Sequence, residues 1–142
     1  MTLSMHQWED DHHCYVCGEL NPEGLKLKFT VEGQVISTVF TAEKRHQGYK
    51  DVLHGGIIGM ILDEVMVLLP YRLHGTVVAS GELTIRLLRP VPVGTRLVVR
   101  ANFLGPGAAN QRAYRVESSA AREDGEVMAM ATATCVRVRQ VG

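Results

Sequence analysis

"VLHGGIIGMILDEVMVLL", residues 52–69 of a 142-residue chain, decides the fold. From Gly55 to about Leu69 nearly every position is apolar, and only Asp63 and Glu64 carry charge. A helix that is apolar all round must be wrapped by other structure. Pro70 and the turn at Gly75 read as its end, because proline cannot continue the backbone hydrogen-bond ladder.

The flanking sequence supplies the wrapping. Leu25, Leu27, Phe29 and Val31 alternate with Lys26, Lys28 and Thr30, the period of a half-buried strand. "EGQ" turns the chain at Gly33 and "VISTVFT" completes a hairpin, after which "AEKRHQGYKD" reads as a polar loop. Beyond the helix come "TVVASGELTIRLLR", then "TRLVVRANFL" after the "PVPVG" turn, then "RAYRVESSAA" and "EVMAMATATCVRVR". Gly105, Pro106, Gly107 and "REDG" mark the turns between the later strands. Ala129, Ala131 and Ala133 share one face of the last strand, and such small side chains let a helix approach closely. The expectation is an α+β fold, a long antiparallel sheet curled around one central helix at about residues 55–69. The whole chain, 1–142, reads as one domain, with residues 1–24 an N-terminal segment preceding the first strand.

Charge and composition narrow the function. Fifteen basic and fifteen acidic residues balance to zero, so nothing in the total argues for nucleic acid or an anionic membrane surface. The opening "MTLSMHQWEDDHH" has no basic and apolar leader pattern, and no apolar run reaches the roughly 20 residues of a spanning helix, so a cytoplasmic protein is expected. Three cysteines, Cys14, Cys17 and Cys135, are too few for a disulfide framework, and reduced thiols are the default.

Two polar features interrupt the apolar helix. His54 stands just before it, and Gly55 and Gly56 open it. The first N–H groups of a helix lack intrahelical partners and sit at the positive end of its dipole, so they can receive an anion or a polarised carbonyl oxygen. The plainer alternative is a tight loop-to-helix corner with His54 as a cap. Asp63 adds weight to the functional reading, since a carboxylate among apolar residues must be paired, hydrogen-bonded or protonated. Of the adjacent Asp63 and Glu64, one reads as only the polar edge of the helix. Nine residues put Asp63 about 13 Å along the axis from His54 and roughly half a turn out of phase. The two cannot attend one carbonyl within a single chain, so a site using both must be built across a subunit interface.

These residues resemble the hotdog-fold thioesterases, in particular acyl-CoA thioesterases of the phenylacetate-pathway and 4-hydroxybenzoyl-CoA type. The match runs through "HQGYKD", "VLHGGIIGMILDEV" and "RLLRPVPVG", and "CYVCGELNPEGL" is similar to the start of one subgroup. The resemblance implies an acyl-CoA substrate, no cofactor, and a homodimer or dimer of dimers (a homotetramer) as the working unit. By position, Gly55 would offer its N–H to the thioester carbonyl, with His54 and Gly56 shaping that end of the site. Asp63 of the partner subunit would be the general base for water or the nucleophile. Ser80 stands where the family often has a Ser or Thr that holds the attacking water. By strict alternation it shares a face with Glu82, Thr84 and Arg86, so its reaching the site requires a local bulge. Relatives often carry Asn or Gln about six residues before the histidine. Here that place is Gly48, and Gln47, one earlier, would serve after a shift of register.

The chemistry is coherent on its own terms. A thioester has a good leaving group, so an oxyanion donor and one carboxylate suffice, and no metal is required. Arg86, Arg89, Lys44 and Arg45 are candidate partners for coenzyme A phosphates. Zinc needs about four ligands, whereas "HHCYVC" offers one Cys-x-x-Cys pair and two adjacent histidines whose side chains point apart, so a site there would need another residue to complete it. The thiols of a redox pair need a depressed pKa, typically at a helix N-terminus, and "GELNPEGL" reads as a turn. Two other function classes fit the fold: a dehydratase or hydratase, whose usual Phe-Pro-Gly after the histidine is absent here, and a non-catalytic acyl-thioester binding module.

Overall fold

The computed structural model describes residues 8–138. Six strands form one antiparallel sheet in the order β1-β2-β4-β5-β6-β3, and a single long helix lies across it. The strands are β1 (Thr30–Glu32), β2 (Val35–Thr41), β3 (Val78–Leu87), β4 (Arg96–Phe103), β5 (Ala113–Arg122) and β6 (Val127–Arg137). The helix α1 (Gly55–His74) packs against β2, β3, β4, β5 and β6. This is the expected sheet around a central helix. No helix among the described residues is long and apolar enough to cross a membrane.

The helix runs one turn further than Pro70 implied. Pro70 sits inside it, fully buried, and the chain leaves the helix only at Gly75, whose left-handed φ of 70° closes the C-terminus. Gly75 donates its N–H to Pro70 and Tyr71 carbonyls. A proline already has a helical φ, so it removes one ladder bond without forcing the chain out, and burial of its ring offsets that loss. The first strand is shorter than its alternation suggested. Leu25, Leu27 and Phe29 do pack on the core, but regular pairing begins only at Thr30. Before it, the N–H groups of Leu25 and Leu27 bond to the carbonyls of Tyr15 and Val16, so the extended segment pairs with an irregular partner. The loop "AEKRHQGYKD" contains a 3-10 turn, Lys44–His46, and buries His46.

The core lies between the helix and the concave sheet face. Ile58, Ile61, Leu62, Val65, Met66 and Leu69 meet Ile36, Leu97, Val99 and Val116, all buried. Ala129, Ala131, Ala133 and Cys135 line the inner face of β6, also buried. On β3, Ile85 and Leu87 come so close to the helix that a Cβ on Gly59 or Gly55 would meet their side-chain tips at 2.7 Å. Close approach therefore depends on small residues from both partners. Ser118 on β5 strengthens the contact by donating its hydroxyl to the Leu62 carbonyl, 3.1 Å away.

Overpacking at this seam has a defined expected effect. Ala129→Leu should destabilise the protein by about 1–3 kcal/mol, because the added atoms must push helix and sheet apart. Thr132→Val, at an exposed position of the same strand, should stay within about 0.5 kcal/mol of the parent. Urea unfolding of the two variants measures the contrast.

Candidate active site

Backbone bonds anchor the turn that leads into α1. His54 donates its N–H to the His46 carbonyl at 2.9 Å, and Leu53 donates to Val91 at 2.8 Å. His54 is the N-cap, in an extended conformation. Its Nδ1 accepts the Gly56 N–H at 2.8 Å, so the capping role is real. Acceptance at Nδ1 leaves the proton of the neutral ring on Nε2. Gly48 lies flat against this ring, where a Cβ would sit 3.2 Å from His54 Cδ2.

The remaining amides of the first turn can be counted. Ile57 and Ile58 both donate to the His54 carbonyl, at 3.0 and 3.3 Å. Gly56 is taken by the imidazole. Among the described residues none accepts the Gly55 N–H, which opens onto a groove of about 420 Å³ bordered by Tyr49, Val52 and His54. The free donor of the helix start is thus Gly55, and the histidine beside it is what occupies the next one.

Asp63 lies on the same helix about two and a half turns further on. It is half-buried and accepts a hydrogen bond of 2.5 Å from the Ser80 hydroxyl. Ser80 reaches it because β3 carries a bulge: Ser80 opposes Cys135 while Glu82 opposes Thr134, with Gly81 extra. The extra residue reverses the alternation and puts Ser80 on the helix side with Leu83, Ile85 and Leu87. Cys135, the buried residue across from Ser80, has its thiol pushed up to about 11, first by burial and then by the nearby Asp63. It packs and stays protonated.

Other expected residues are placed elsewhere. Gln47 does not turn toward His54; its Oε1 accepts the Asp51 N–H at 3.0 Å and pins the loop ahead of the helix. Gly48, at the expected position, supports the ring by contact and has no side chain to orient a carbonyl. Arg86 is exposed and, by parity, lies on the sheet face away from the helix. Arg89 faces Glu126 at 3.6 Å, Lys44 pairs with Asp51 at 3.0 Å and Arg45 with Glu43 at 3.0 Å. Glu64 is not a solvated edge. It is half-buried, its carboxyl faces Cys14 and Cys17, and burial raises its pKa above the usual carboxylate value. Ser118 and His46 also escaped the sequence, since a serine among small residues and a histidine in a polar loop carry no periodic signal.

The isolated chain leaves the surroundings of Asp63 open. β3 is an edge strand of ten residues, and its inner-face residues Leu83, Ile85 and Leu87 are 39, 38 and 58% exposed. A long apolar edge beside a half-buried carboxylate is a template for pairing with another chain.

Comparison with known proteins bears on the fold. The sequence pattern of the thioesterase superfamily matches residues 50–107. Among solved structures, a thioesterase superfamily protein, RHA08564, superposes with a TM-score of 0.78 at 20% identity, covering 88% of this chain. This chain spans 63% of that protein's length. The E. coli PaaI protein from the phenylacetic acid degradation operon superposes at 0.70 with 15% identity, covering 80% of this chain and 84% of that one. A hypothetical thioesterase protein from Streptococcus pneumoniae TIGR4, solved with coenzyme A, gives 0.71 at 14% identity, covering 82% and 91%. No curated protein matches the sequence.

The loop that delivers His54 to the helix rests on buried His46. Its ring stacks at a tilt on Phe40, with centroids 5.0 Å apart, and its Nδ1 accepts the Glu43 N–H at 3.0 Å. Burial lowers its pKa below the ordinary 6.5, the Arg45 charge adds to this, and Glu43 partly opposes it. The folded state therefore binds fewer protons here than the unfolded chain. That contribution is complete above pH 6.5 and is lost as pH falls through 6.5 toward the lowered folded value. Thermal unfolding should show a fall in Tm between pH 7.5 and 5.5 that is shallower in His46→Asn, which keeps an acceptor for Glu43 but does not titrate. Equal slopes in the two proteins would remove His46 as the cause.

Proposed function

We propose that this chain, a hotdog-fold protein of the thioesterase superfamily, hydrolyses an acyl-CoA thioester to a free acid and coenzyme A. The observation that carries the reading is the pairing of a free helix-start N–H at Gly55 with a half-buried Asp63 held by Ser80. The first supplies an oxyanion donor at the positive end of a helix, and the second a carboxylate in a fixed orientation. Asp63 and Gly55 of one chain are too far apart to share a carbonyl. Two chains joined along the apolar β3 edge bring the Asp63 of each toward the helix start of the other, giving two equivalent sites per dimer.

The thioester carbonyl oxygen is received by the Gly55 N–H, with His54 holding the Gly56 amide out of competition and bordering the groove. Asp63 either takes a proton from the attacking water or attacks the carbonyl itself; in both cases coenzyme A leaves as the thiolate. Ser80 donates to one carboxylate oxygen and leaves the other for water or carbonyl. The acyl group runs past Met60, a partly buried methionine of the helix whose flexible side chain accepts varied shapes. Arg86 and Arg89 stand on the exposed end of β3 and beyond it, where the phosphates of a coenzyme A entering from the dimer edge would pass.

An acyl-CoA panel assayed with a thiol reagent should show release of free coenzyme A. Asp63→Ala should lower kcat/KM by about 10²- to 10⁴-fold. Ser80→Ala should lose on the order of tenfold, the worth of one hydrogen bond to a charged group. Hydrolysis left intact in Asp63→Ala would sink the mechanism. On a sizing column, Ile85→Lys should elute smaller than the parent and lose turnover with it, since the charge is placed on the joining edge.

A further inference from the structure

A recess of about 710 Å³ lies not at Asp63 but on the neighbouring side of the helix. Cys14, Cys17 and Glu64 line it, together with Asp10, His12 and Tyr71. The Cys14 and Cys17 sulfurs stand 3.6 and 3.5 Å from the same Glu64 oxygen. All three donor atoms lie within 4.8 Å of one another, and all three residues are partly buried. From this geometry we propose that Cys14, Cys17 and Glu64 bind a divalent cation of borderline softness, zinc foremost, which clasps the N-terminal segment to the central helix.

Four observations support the assignment. Tetrahedral zinc with ordinary Zn–S and Zn–O lengths separates a sulfur from an oxygen ligand by about 3.5 Å, and both sulfur–oxygen separations match. The turn is shaped as a ligand knuckle: the Cys17 N–H points at the Cys14 sulfur, 3.5 Å away. Gly18 is required for it, because a Cβ there would fall 2.4 Å from the Cys14 nitrogen and 2.6 Å from the His12 carbonyl oxygen. Finally, Glu9, Asp10 and Glu64 gather in the lining of the one recess. No Lys or Arg is among the described residues lining the recess.

A dication resolves this. Binding releases the two thiol protons and any proton on Glu64 to solvent, leaving two thiolates and a carboxylate around a charge of two. Sulfur ligands select zinc over magnesium or calcium, and one carboxylate oxygen is an accepted zinc ligand. His12, whose backbone N–H donates to the Asp10 carboxylate at 2.8 Å, borders the same recess. The site does not rest on the hydrolytic reading. It acts on the fold, fixing residues 14–17 to the helix turn that also carries Asp63.

The test uses the full chain, reduced and with its thiols counted by a chromogenic reagent. Titration with Co²⁺ should give a sulfur-to-cobalt charge-transfer band that saturates at one equivalent per chain, and Zn²⁺ should displace it stoichiometrically. Zinc should raise Tm and a chelator should reverse the rise. Glu64→Gln, near-isosteric and checked for fold by circular dichroism, should weaken zinc binding by on the order of 100-fold and abolish the shift in Tm, as should Cys14→Ser. Should the reduced parent give no charge-transfer band, or should folded Glu64→Gln and Cys14→Ser bind as tightly as the parent, the proposal is overturned and the three groups are only two thiols donating to one carboxylate.

Discussion

The structure depends on how closely one apolar helix can approach a curved sheet. Gly55 and Gly59 on the helix and Ala129, Ala131 and Ala133 on β6 remove side-chain bulk from both partners. Packing gains fall steeply with separation, so a gap of even half an ångström would forfeit much of the contact energy along the seam. Close approach also puts the Leu62 carbonyl within reach of Ser118 and the Asp63 carboxylate within reach of Ser80. The same constraint that stabilises the core therefore sets the position of the polar group at its margin.

The two carboxylates in the apolar stretch of the helix are met by partners from outside it, and His54 caps the helix's own start. His54 satisfies the Gly56 amide, Asp63 is met by a serine on the edge strand, and Glu64 is met by two thiols from the N-terminal segment. Such residues are expensive to bury, and every one is placed where the surrounding fold supplies hydrogen bonds. The helix thus carries two distinct polar faces about one residue apart, one toward the free edge of β3 and one toward the Cys-x-x-Cys turn. The two faces share a helix turn.

The legibility of the sequence varied with the range of the interaction. The apolar run 55–69, the β-rich segments after it and the small-residue face of β6 were plain, because each is a local periodic pattern. Pro70 misled about the helix end because the rule against proline weighs one lost hydrogen bond and not the burial of a further turn. Leu25 to Val31 showed the right alternation without a full ladder, since alternation reports burial of one face and not the presence of a partner strand. The Asp63 position stood out by its apolar neighbours, whereas Gln47 and Arg86 depended on loop course and strand parity.

By itself the sequence determined the fold class, the central helix and the three residues around its start, since these follow from periodicity, helix-end chemistry and spacing along one element. Tertiary structure decided which amide of the first turn stays free, that a bulge at Gly81 turns Ser80 toward Asp63, and that Glu64 meets Cys14 and Cys17 across some fifty residues of chain. The reason is physical. Spacing within a helix is set by bonds between near neighbours, while a bulge or a meeting of distant side chains is set by how whole elements pack.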